Sequence, residues 1–145
     1  MGKVQMKCQD DSFERCILTF GYGNRSNHLD FTNYLHAFNV VCVVDVRLTS
    51  RAWSRKWYGE EIEKICLQNN VSYISMKSLG NTSGTRKWIP SNFEEAQEDL
   101  QKLSMLVTKG NFLLLCAELD SSACHRTDVA LELGTLMQIP VKHLR

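Results

Sequence analysis

Two cysteines, a histidine, an arginine and two carboxylates crowd into one run, Cys116-Ala-Glu118-Leu-Asp120-Ser-Ser-Ala-Cys124-His125-Arg126. A thiol beside an imidazole and a guanidinium has the composition of a nucleophilic or redox site. Nearby positive charge favours the thiolate, and a base can carry away the proton that the thiol loses. Cys124 is therefore the candidate nucleophile or redox-active thiol, Glu118 or His125 the proton-transfer group, and Cys116 a second thiol at the end of an apolar run. The competing reading, equally weighted by the residue types alone, has Cys124 packed beneath the next helix while Asp120 and the serines cap it.

Spacing narrows the chemistry. A phosphatase-type loop needs an arginine six positions after the cysteine to close backbone amides and guanidinium around a phosphate, and Ser122 stands there after Cys116. No Cys-x-x-Cys pair occurs, which removes zinc-ribbon and thioredoxin-type arrangements. Cys116, Cys124, His125 and Asp45 are all metal-ligand types, but no four-ligand spacing is present. Two adjacent residues at a helix start are expected to point apart, so no metal and no cofactor are assigned.

Cations gather elsewhere. Gly21-Tyr-Gly23-Asn-Arg25-Ser26 opens a helix with small residues that can cradle an anion, although without a third glycine it is a weak dinucleotide signal. The segment from Arg47 to Trp57 holds four cations and two tryptophans without an acid, and Lys77, Arg86, Lys87 and Trp88 form a second basic, aromatic stretch. Such rims suit an anionic small molecule or a nucleic acid, through phosphate contacts and stacking. Arg25, Ser26, Arg47, Arg55 and Arg126 are the candidate substrate-binding groups, with Asp45 orienting an arginine or histidine among them.

The elements that must position these groups are legible in the hydrophobic pattern. Residues 16–21, 40–46, 71–75, 112–116 and 141–144 read as strands, the second and fourth apolar almost throughout, as when helices cover both sheet faces. Residues 28–38, 58–70, 92–108 and 124–137 carry helical spacing. In the third, Phe93, Ala96, Leu100, Leu103 and Leu106 or Val107 share one face, and Ser91 with Glu94 forms a capping box. The alternation predicts one α/β domain over residues 1–145: a three-layer, Rossmann-like arrangement with a mostly parallel sheet of about five strands and helices on both faces. Residues 1–14 read as a flexible or edge segment. Every strand-to-helix loop then lies on the sheet edge where ligands bind in such folds.

Composition excludes some classes. The chain has 145 residues, a net charge of +1 and six cysteines, of which Cys16, Cys42 and Cys66 lie in apolar periodic segments and read as core fillers. No leader and no long apolar run is visible, so the expectation is a cytoplasmic protein that does not engage a membrane.

Several separated motifs agree with one family. Thr19-Phe-Gly21-Tyr-Gly-Asn-Arg25-Ser26, Val44-Asp45-Val46-Arg47, Ser54-Arg55, Leu79-Gly80, and Leu115-Cys116-Ala117-Glu118 with Cys124-His125-Arg126 resemble the domain of unknown function 488 family. The resemblance implies a compact α/β domain of bacteria and archaea with no firmly assigned activity. It carries Asp45, Arg47, Arg55, Cys116, Glu118, Cys124, His125 and Arg126 as matching positions, and lacks a histidine frequent in the family's first loop. Three functional readings stand together: a cysteine-dependent enzyme acting on a phosphorylated or nucleic-acid-derived substrate, a non-catalytic nucleotide or nucleic-acid binding module, and a thiol-based redox sensor using Cys116 and Cys124.

Overall fold

The computed structural model describes residues 15–23, 25–106, 109–118 and 120–145. The N-terminal segment 1–14, with Cys8, lies outside the described residues, as do Asn24 and Val107. Five strands alternate with four helices: β1 (Ile17–Gly21), α1 (Leu29–Ala37), β2 (Val40–Asp45), α2 (Gly59–Gln68), β3 (Ser72–Ser75), α3 (Phe93–Ser104), β4 (Asn111–Cys116), α4 (Arg126–Met137) and β5 (Val141–His143). All strand pairs are parallel, in the order β3-β2-β4-β1-β5.

That order explains which helix covers which face. From β1 the chain passes over the place of β4 to β2 and then to β3. It next returns to the centre as β4 and leaves on the other side as β5. With right-handed crossovers, a reversal of direction puts the helices of the two legs on opposite faces. Leu18, Phe20, Val43, Leu113 and Leu115 accordingly pack on Phe31 and Leu35 of α1 and on Ile62 and Cys66 of α2. Ile17, Cys42, Val44, Phe112 and Leu114 pack on Ala96, Leu100 and Leu103 of α3 and on Val129, Ala130 and Leu133 of α4. Strands covered on both faces must be apolar at successive positions, and every residue of β1 and of β4 is buried. Cys16, Cys42 and Cys66 are buried free thiols in this core, as their apolar settings predict.

β4 is the pivot of the fold. Its neighbours β1 and β2 lead into α1 and α2 on one face, whereas β4 leads into α4 on the other. A crevice opens where connections diverge in this way, and the residue at the carboxyl end of β4 is Cys116.

The third helix corrects two details of the sequence reading. Asn92, not Ser91, is its N-cap, and its side chain accepts the Glu95 backbone N–H at 3.0 Å. Phe93 is 67 % exposed, so the buried stripe is Ala96, Leu100 and Leu103 alone.

Candidate functional site

The loop after β4 folds back on itself through local polar contacts. The Asp120 carboxylate accepts the Ser122 backbone N–H at 3.0 Å and its hydroxyl at 2.8 Å, capping one 3-10 turn over Ser121–Ala123. Thr127 then donates its hydroxyl to the Ser121 carbonyl at 2.6 Å. The turn brings Cys124 back beneath the end of β4. Cys124 itself is extended and precedes α4, which begins at Arg126, so the expectation that it lies at or inside the helix start is corrected. Asp120 caps the short turn instead of α4. The helix still reaches the sulfur, since the Arg126 backbone N–H in its first turn points at Cys124 Sγ from 3.5 Å.

His125 organises the cluster. Its Nε2 lies 2.9 Å from the Val46 carbonyl, just past β2. A carbonyl only accepts, so Nε2 carries a proton, and in the neutral ring the Nδ1 lone pair faces inward. There Nδ1 lies 3.8 Å from Cys116 Sγ and 3.8 Å from Cys124 Sγ. The three atoms lie within 4.8 Å of one another, and all three residues are buried. This corrects the expectation that adjacent side chains diverge: the backbone changes from extended at Cys124 to helical at His125, and that bend aims both side chains at β4.

The two thiols are not equivalent. The hydrogen bond between them, with burial, pushes the Cys116 thiol far above its usual range. The same bond from Cys116 holds Cys124 well below the usual thiol range against the cost of burial, helped by His125 and the Arg126 N–H. Burial disfavours a charged His125, but its hydrogen bond to Cys124 and the charge there outweigh burial and raise its pKa.

Asp45 and Arg47 form a different unit. Arg47 donates from Nε to Asp45 Oδ1 at 2.8 Å and from Nη2 to Oδ2 at 2.6 Å, a bidentate pair with both side chains buried. Tyr73 donates its hydroxyl to Oδ2 at 2.6 Å, and Arg47 Nη1 donates to the Trp57 carbonyl at 2.7 Å. Trp57 is buried and stacks on Tyr22 with ring centroids 5.0 Å apart. The network fastens the segment after β2 to β3 and faces inward.

The other arginines named from sequence separate. Arg126 is fully buried and donates from Nη1 to the Glu118 carbonyl, locking the start of the cysteine loop over β1. Gly21 allows this approach, since a Cβ there would stand 1.6 Å from the Glu118 carbonyl oxygen and 2.8 Å from Arg126 Nη1. Arg25 pairs with Asp30 and covers the Phe20 ring at 4.7 Å, while the Ser26 carbonyl accepts from Lys56 Nζ. Arg55 is exposed and lies 5.6 Å over the Tyr58 ring.

Two open clefts meet at the cysteine loop. One, of about 760 Å³, runs between Tyr22, Arg51, Trp53, Ala117 and Glu118. The second, of about 380 Å³, is walled by Asn81, Thr85 and Arg86 and floored by Cys116, Cys124 and His125; it shares Ala117 and Glu118 with the first. Arg86 donates from Nε to the Ser122 carbonyl at 2.8 Å, fastening the loop after β3 against the cysteine loop. Arg51, Trp53 and Arg86 were visible in the sequence only as members of two basic, aromatic loops, and it is these that border the clefts.

Residues 29–132 match the family described as domain of unknown function DUF488. The chain belongs to this family. The matched stretch runs from the start of α1 into α4, so it includes Asp45, Arg47 and the whole Cys116 to Arg126 loop of this DUF488 chain. No curated protein and no solved structure matches it. Among the described residues, no helix is long and apolar enough to cross a membrane.

Proposed function

We propose that this DUF488 protein is a cysteine-dependent enzyme of the cytoplasm that acts on a phosphorylated or nucleic-acid-derived substrate, with Cys124 as its nucleophile. The observation that carries this reading is the position of the His125 ring, pinned through Nε2 to the Val46 carbonyl so that Nδ1 faces the Cys124 sulfur at 3.8 Å. A nucleophile beside a base that is itself oriented by a third group is the arrangement thiol catalysis requires. In the attack, Cys124 sulfur bonds to the electrophilic atom as the thiolate, with its proton held on His125 Nδ1. The leaving group departs with the bonding pair and takes the proton from the imidazolium or from Glu118, which borders the cleft. Cys116 is a positioning residue, its sulfur within 4.8 Å of the Cys124 sulfur and 3.8 Å from the same His125 Nδ1.

Substrate recognition falls to Trp53 and Arg51 in the larger cleft and Arg86 in the smaller. Trp53 is fully exposed, as a stacking platform must be, and Arg51 and Arg86 supply charge for an anion. Iodoacetamide labelling, read peptide by peptide, tests the reading. Cys124 should be the fastest of the described cysteines, and His125→Gln should slow it while leaving Cys42 and Cys66 unchanged. Equal rates in the two proteins would overturn the assignment of His125 as base.

One observation favours a second reading. Cys116 and Cys124 bring their sulfurs within 4.8 Å, close enough for a modest rotamer change to join them. An oxidant of the peroxide class would then take two electrons and two protons from the pair, leaving a disulfide. A mass loss of two hydrogens assigned to these two residues after peroxide treatment, reversed by dithiothreitol, is the result this reading requires.

A further inference from the structure

We infer that Cys116, Cys124 and His125 form a binding site for a soft divalent cation of the zinc class, with the fourth coordination position open to the cleft beside Glu118 and Arg86. Tetrahedral zinc holds sulfur at about 2.3 Å and imidazole nitrogen at about 2.0–2.1 Å, which sets ligand atoms about 3.6 Å apart for an S–N pair and about 3.8 Å for an S–S pair. The observed separation is 3.8 Å from His125 Nδ1 to each sulfur, and all three atoms lie within 4.8 Å. An ion at their centre thus requires a shift of about 0.2 Å for each S–N pair and of up to about 1 Å between the sulfurs, in side chains that already converge.

The surroundings match ligation as well. A metal-bound histidine characteristically donates its distal N–H to a carbonyl or carboxylate, which fixes the tautomer and makes the proximal nitrogen more basic. His125 makes that contact with Val46 at 2.9 Å. The Arg126 backbone N–H lies 3.5 Å from Cys124 Sγ, where it can stabilise a bound thiolate. Charge balances too: a divalent cation displaces two protons from the Cys116, Cys124 and His125 cluster to solvent, and two thiolates with a neutral imidazole leave a buried site with no net charge. Three protein ligands leave one position for water or an anion, and the cleft lies on that side.

The ligand set does not depend on Cys124 being a nucleophile. Its consequence does rest on the catalytic reading: a bound ion takes the lone pairs of both Cys124 Sγ and His125 Nδ1, so occupancy silences the thiol.

The test is titration of the full-length protein, reduced and then freed of metal by a chelator, with Co(II). Expected are thiolate-to-cobalt charge-transfer absorption in the near ultraviolet and tetrahedral d–d bands in the visible. Both should saturate at equimolar metal, be abolished by Zn(II), and be lost in Cys116→Ser, Cys124→Ser and His125→Gln but retained in Cys66→Ala. No bands in the wild-type protein, or bands that survive in Cys116→Ser, would overturn the site. Zn(II) protection of Cys124 from iodoacetamide gives a second measurement on wild-type protein alone, independent of how well the variants fold. If cobalt binds as described while metal-free Cys124 proves unreactive, the metal site stands and the nucleophile reading falls.

Discussion

Replacing Asp45 with asparagine tests whether the buried pair with Arg47 is a strut or part of a ligand site. Asp45 accepts from Arg47 Nε and backbone N–H at Oδ1, and from Arg47 Nη2 and the Tyr73 hydroxyl at Oδ2. Asparagine turns one of these oxygens into a donor. Whichever way the amide faces, at least one Arg47 N–H meets an NH₂ group, and the Arg47 guanidinium stays buried without its counter-charge. Removing one partner of a buried ion pair costs about 3–5 kcal/mol. With a urea m-value of about 2 kcal/mol/M, the denaturation midpoint should fall by about 2 M. Trp57 reports the loss directly, because Arg47 Nη1 bonds its carbonyl at 2.7 Å and its ring stacks on Tyr22. The double variant Asp45→Leu with Arg47→Met should recover most of the loss, since an apolar pair of similar volume carries no desolvation cost. A midpoint that moves by less than about 0.5 M in Asp45→Asn, equivalent to about 1 kcal/mol, would refute this account, as would a double variant less stable than either single change.

Other outcomes follow from the same geometry. Gly21→Ala drives a Cβ into the Glu118 carbonyl, and an overpacking cost of about 1–3 kcal/mol should lower the thermal midpoint by about 3–12 °C. Trp53→Ala should leave the urea midpoint unchanged while weakening binding of fluorescent nucleotides or oligonucleotides, and equal binding by both proteins would remove Trp53 from recognition. Burial pushes the Cys42 thiol up to about 11 and the Cys66 thiol up to about 12. Both raised values keep a proton on the folded chain after the unfolded chain has lost it, so stability is complete below about pH 8.5 and then falls as pH rises, by up to about 1.4 kcal/mol per pH unit and per thiol. Urea midpoints measured between pH 8 and 10 should show that decline, and Cys66→Ala should make it shallower.

Much of the architecture could be read from the chain because burial on both sheet faces leaves an unbroken apolar imprint, as in Phe112-Leu-Leu-Leu115 of β4 and Val40-Val-Cys-Val-Val44 of β2. Strand order was not legible, since nothing in a single strand records its neighbours. The cysteine loop stood out by residue type, but its convergence did not. It depends on a backbone bend between Cys124 and His125 and on a contact from His125 to the carbonyl of Val46, a group every residue possesses. Arg47 and Arg126 illustrate the other limit: arginine is rarely buried, so sequence assigns it to the surface, whereas here carboxylate and carbonyl partners hold both inside. For Asp45 and Arg47 a clue was present, because residues two apart on extended chain point to the same face.

The most direct test of the central claim is the iodoacetamide rate of each cysteine in the native, metal-free protein at pH 7, resolved by peptide mass spectrometry. The account predicts that Cys124 reacts first, well ahead of Cys42 and Cys66, and that Cys116 follows only slowly. A Cys124 no faster than those two core thiols would contradict it, and would leave Cys-His-Arg as scaffold beneath the arginine- and tryptophan-lined clefts.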